Sequence, residues 1–67
     1  MDFAYRVLIQ TDDGQVERLH RTDRQLVDRQ VIRLDTGEQV VVRRIVTQPS
    51  HQGPGVVETE PFRAVHG

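Results

Sequence analysis

Val31-Ile32-Arg33-Leu34-Asp35-Thr36-Gly37-Glu38-Gln39-Val40-Val41-Val42-Arg43-Arg44-Ile45-Val46 is the stretch on which the fold turns. β-branched residues fill both halves, and such side chains suit a pleated, half-buried surface. Between the halves sits Asp35-Thr36-Gly37, where Gly supplies the positive φ of a tight loop without a Cβ clash. The reading is a hairpin with residues 30–34 as one arm and 38–46 as the other. Alternate residues of a strand share a face, which separates Val40 and Val42 from Ile45. A β-bulge near Arg43-Arg44 inserts one residue and returns all three to the same side.

Toward the N-terminus, Phe3, Tyr5, Val7 and Ile9 alternate with Ala4, Arg6, Leu8 and Gln10. This is the period-two pattern of a strand with one apolar face. Asp12-Asp13-Gly14 follows, and Asp-Gly is a strong signal for a type I′ hairpin turn. Residues 15–21 return as a second strand, whose Val16 and Leu19 are out of phase unless a bulge intervenes. Thr22-Asp23-Arg24-Gln25 breaks the pattern. Thr22 as N-cap with Gln25 three residues later is a capping box, so a short helical turn is expected around residues 22–28. Leu26 and Val27 would then plug the bottom of the core.

Toward the C-terminus, residues 48–55 are a loop by their Pro and Gly content. Residues 56–62 are a fifth strand, and Pro61, which has no N–H, assigns its end to a sheet edge. The strand either closes the barrel or adds to the edge of a neighbouring sheet. Glu58 and Glu60 share a face and would pair with Arg43 or Arg44 across strands. Residues 1–62 then form one small domain, and residues 63–67 a flexible tail.

Five short strands with two tight hairpins predict an all-β small barrel, because closing the sheet removes exposed edges. The run Leu26-Val27-Asp28-Arg29-Gln30-Val31-Ile32-Arg33-Leu34-Asp35-Thr36-Gly37, followed by residues 39–46, resembles an SH3-like barrel. The likeness lies in a leucine, a short turn, a strand ending in Asp-x-Gly and a Val-rich return strand. It implies a five-stranded SH3-like barrel and little about activity. Proline-peptide binding needs an aromatic-lined groove and methyl-lysine reading an aromatic cage. With Phe3, Tyr5 and Phe62 as the aromatics and no Trp, both are disfavoured.

Composition narrows the function classes further. The 67 residues include nine Arg, no Lys, ten acids and no Cys, for a net charge of −1. Arg without Lys fits a GC-rich bacterial coding sequence. Without Cys there is neither a disulfide nor a Cys-type zinc site. No apolar run approaches the ~20 residues that span a bilayer. Met1-Asp2-Phe3 does not open a secretory signal, so a cytoplasmic location is expected.

Seven of the arginines lie between residues 17 and 44 against five acids, a local excess of +2. Their plain reading is a solvated surface with interspersed ion pairs. Their functional reading is a contact face, with Arg18, Arg21, Arg24, Arg43 and Arg44 as the candidate partner-binding residues. His20, His51 and His66 show no common spacing, so no metal and no cofactor is expected. Ser50 and His51 are adjacent, an arrangement that rarely turns a nucleophile toward its base, and no Gly-x-Ser-x-Gly elbow surrounds them. So short a chain also leaves little room for a substrate pocket of ~300 Å³. The expectation is a non-catalytic interaction module, binding a protein or itself through a β-edge and an Arg-bearing face. Self-association is a route to stability for so small a core. The alternative partner is nucleic acid, weakened by the lack of aromatic stacking platforms. Neither a membrane nor a small-molecule substrate is expected.

Overall fold

The computed structural model describes residues 2–62, and among them every regular element is a strand. The strands are β1 (Phe3–Thr11), β2 (Gly14–Thr22), β3 (Val31–Arg33), β4 (Gln39–Thr47) and β5 (Gly55–Pro61). They form one sheet in the order β2-β1-β5-β4-β3, curled into a half-barrel. The all-β expectation holds, and so do both hairpins. Residues 63–67, expected as a tail, lie outside the described residues.

The alternation in β1 is the one expected: Tyr5, Val7 and Ile9 are buried, and Arg6 and Gln10 are exposed. Leu26, Ile32, Leu34, Val40, Val42 and Val57 complete the core, with Phe3, Val16 and Ile45 packed against it. Thr59 is the buried polar residue, and its hydroxyl donates to the Leu8 carbonyl at 3.0 Å. The bulge in β4 is present. Val42 pairs with Thr59 and Arg44 with Glu58, leaving Arg43 as the extra residue. A second irregularity between Ile45 and Thr47 leaves Val46 exposed. In the second hairpin the Gly37 N–H donates to the Leu34 carbonyl and the Leu34 N–H to the Glu38 carbonyl, at 2.9 and 2.8 Å. Gly37 takes φ 91°, the conformation for which the glycine was needed.

Four local expectations are corrected. In the first hairpin Thr11 pairs with Gly14, so Asp12 and Asp13 form the loop. Neither has a positive φ, whereas Gly14 does at 120°, so the turn is not the type I′ expected. β2 carries no bulge: it pairs residue for residue with β1 from Thr22 to Gly14, and Leu19 is 60% exposed. The reason is position, because β2 is an edge strand and the core lies over β1, β5 and β4. Unbroken ladder bonds outweigh burying one leucine there.

The connection at residues 22–28 contains a bend and no helix. The Thr22 hydroxyl accepts from the Arg24 N–H at 3.3 Å instead of capping a helix. A β-turn follows, with the Gln30 N–H donating to the Val27 carbonyl and Arg29 at φ 67°. Leu26 plugs the core as expected, but Val27 is 59% exposed. The fourth correction concerns β5, which lies between β1 and β4 and not at an edge. Its ladder to β1 ends at Ile9↔Thr59, so Pro61 sits beyond it.

The β1–β5 pairing is parallel, a feature the sequence pattern does not announce. Gly55 makes it possible. A Cβ there would lie 2.7 Å from the Thr47 carbonyl oxygen and 2.8 Å from Cδ1 of Tyr5. The Tyr5 ring therefore rests against bare backbone.

Candidate functional site

The five candidate arginines separate into two groups. Arg43 and Arg44, at the bulge of β4, face the glutamates of β5, with Arg43–Glu60 at 2.9 Å and Arg44–Glu58 at 3.7 Å. This is the cross-strand pairing expected from spacing. Both pairs are solvent-exposed, and such pairs contribute little each. Arg18 and Arg21 lie on β2, and Arg24 lies in the bend that follows it. Directly paired residues share a face of the sheet. Arg18 pairs with Val7 and so lies on the inner face; Arg21 pairs with Ala4 and lies on the outer face. Two strands separate β2 from β4, about 14 Å at ~4.8 Å per step. Acidic residues stand between, as in the outer-face row Glu17, Leu8, Glu58, Arg44. Arg21 and Arg44 share the outer face but stand on strands with two others between them, and Arg18 lies on the inner face, so the candidates do not form one cluster.

What the edge group shares is an open strand. β1 is the strand that β2 pairs with, and no turn or loop backbone bond among the described residues reaches it. The other sheet edge, β3, has three residues against nine in β2. Short edges are protected by their length and long ones are templates for another strand.

The direction of the unpaired groups on β2 follows from its neighbours. The Thr59 hydroxyl reaches the Leu8 carbonyl from β5, so that carbonyl points toward β5 and away from β2. The N–H and C=O of one strand residue point the same way, and those of residues facing each other alternate between bonded and non-bonded pairs. Glu17 pairs with Leu8 and therefore turns its own backbone groups to the open edge. Consistently, the Arg18 guanidinium donates to the Glu17 carbonyl at 3.1 Å. By the same alternation Gln15, Leu19 and Arg21 also face outward. Leu19, which sequence reasoning placed in the core, is the exposed apolar side chain at the centre of this edge. Its signal was present as an apolar residue out of phase in a strand.

The remaining candidates do not converge. His20 pairs with Tyr5 on the inner face of β2, and His51 is exposed in the loop before β5. Ser50 exchanges backbone bonds with Gly53, and its hydroxyl accepts from the Gln52 N–H at 3.2 Å. A groove of about 610 Å³ runs beside this loop, lined by Phe3, Ala4, Pro49, Ser50, His51 and Pro54 among others, larger than the chain length suggested. Among the described residues no three His, Asp or Glu side chains cluster as metal ligands, and no helix is long and apolar enough to cross a membrane. Compared with protein-family models, curated proteins and solved structures, the chain finds no match in any of the three.

Proposed function

We propose that the protein is a non-catalytic interaction module whose working surface is the outer edge of β2. The observation that supports this most directly is the nine-residue edge strand with outward backbone groups and Leu19 60% exposed at its centre. An added strand gains affinity from main-chain hydrogen bonds and specificity from alternate side chains. Arg18, Arg21 and Arg24 supply those side chains along the edge and just past it. On this reading the small half-barrel is a scaffold of SH3-like kind, with the likeness resting on Leu26, the turn after it and the β3–β4 hairpin. Nucleic acid has less to work with. Arg43 and Arg44 already face glutamates, and Arg18 and Arg21 lie on opposite faces.

The test is a photo-crosslinking side chain placed at position 19 in the full chain, in cells. A control carries it at Gln52, which is also exposed. Adducts at position 19 and none at 52 are expected. No adduct at 19, or equal adducts at both, overturns the proposal.

A further inference from the structure

We infer that the strand docked on this edge is β2 of a second copy of the chain, antiparallel to the first, with Leu19 facing Leu19 across a twofold axis. The inference rests on the proposed role of the edge and adds the partner and the register. A twofold axis normal to the sheet keeps each face on its own side, so outward-facing odd residues meet odd residues. Few centres are then available. Centring on Glu17, Arg18 or Arg21 sets like charges directly opposite, which is destabilising. Centring on His20 brings Glu17 against Asp23. Centring on Gly14, Gln15, Val16 or Thr22 leaves five residues of β2 or fewer overlapping its copy, against seven for Leu19.

Centring on Leu19 does neither. It sets Glu17 of each copy opposite Arg21 of the other, on the outer face, with the two leucines meeting between these pairs. Glu17–Arg21, Leu19–Leu19 and Arg21–Glu17 are all pairings of residues whose backbone groups face the edge. Each exchanges two N–H···O bonds. On the inner face Arg18 meets His20, whose imidazole nitrogen can accept from a guanidinium. The guanidinium of Arg18 leaves the Glu17 carbonyl, which the Arg21 N–H of the second copy then occupies. The strand is thus self-complementary in charge and in apolar contact in this one register.

Within one copy Glu17 pairs with Leu8 and Arg21 with Ala4. Neither Glu17 nor Arg21 is in an ion pair among the described residues. Their charges can therefore be reversed without disturbing the fold, and circular dichroism at low concentration checks this. Sedimentation equilibrium on the full chain is the experiment. The wild type is expected to dimerise, and Glu17→Arg or Arg21→Glu alone to raise the dissociation constant about tenfold or more by placing like charges opposite twice. The double variant is expected to return to within about threefold of wild type, because both pairs re-form with reversed sign. A dimer that the double variant fails to restore overturns the register. A wild type that stays monomeric at millimolar concentration overturns self-pairing. In that case adducts of foreign mass at position 19 would still uphold the edge as the working surface, and their absence would remove both readings.

Discussion

The Tyr5 hydroxyl accepts the backbone N–H of Leu26 at 3.0 Å and donates to Oε1 of Gln48 at 2.9 Å. One fully buried phenol thereby ties β1 to the connection after β2 and to the loop before β5. A buried hydroxyl needs partners, and here it has one of each kind. The bond to Leu26 also accounts for the missing helix. It holds that residue's N–H to β1 and drives the Leu26 side chain into the core.

Tyr5→Phe removes both bonds and leaves the buried Leu26 N–H unsatisfied. The expected loss is about 1–3 kcal/mol of unfolding free energy in urea. A loss within error of zero would show that water or a shifted backbone replaces the bond.

Gly55→Ala forces a methyl against the Thr47 carbonyl and the Tyr5 ring. Overpacking of this kind costs about 1–3 kcal/mol. Gly37 has open space around it and only its φ of 91° to lose. Gly37→Ala is therefore expected to lower the melting temperature less than Gly55→Ala does. The reverse order would mean that the backbone around β5 yields easily.

Leu26→Ala should destabilise by about 2–5 kcal/mol, the range for a buried leucine. Leu19→Thr, at a site 60% exposed, should stay within about 0.5 kcal/mol when measured on dilute monomer. The same Leu19→Thr change is expected to weaken association at high concentration. If it destabilised the dilute monomer strongly, Leu19 would belong to the core and the edge would lose its apolar centre.

The Arg43–Glu60 and Arg44–Glu58 pairs should each give coupling of less than about 1 kcal/mol in double-mutant cycles. The shorter Arg43–Glu60 pair is expected to show the larger value, reduced by salt. Coupling that is insensitive to salt would argue against an exposed ion pair.

Much of the sheet is legible from neighbouring residues. The alternation from Phe3 to Ile9, the Gly37 turn and the slip of phase between Val42 and Ile45 each identify a strand, a loop and a bulge. All three depend on contacts local in the chain or on burial of one face. The candidate arginines were legible as residues but not as a site, since charge spacing does not reveal which strand lies at an edge. Leu19 shows the limit most clearly. Its apolar character suggested the core, while its phase suggested the surface, and edge position settled the matter in favour of phase.

Strand content, the second hairpin, the bulge and the pairing of Glu58 and Glu60 with the two arginines were therefore decided by the order of residues. Period-two burial and turn stereochemistry act over a few positions. The parallel insertion of β5 between β1 and β4, the exposure of β2 and the role of Tyr5 were decided by the tertiary structure. They rest on contacts such as Thr59 with Leu8, 51 residues apart. Such a contact depends on which strands come together after the chain has folded back, and many strand orders satisfy the same local pattern. Only in the assembled sheet does one long strand remain, among the described residues, without a neighbour on its outer side.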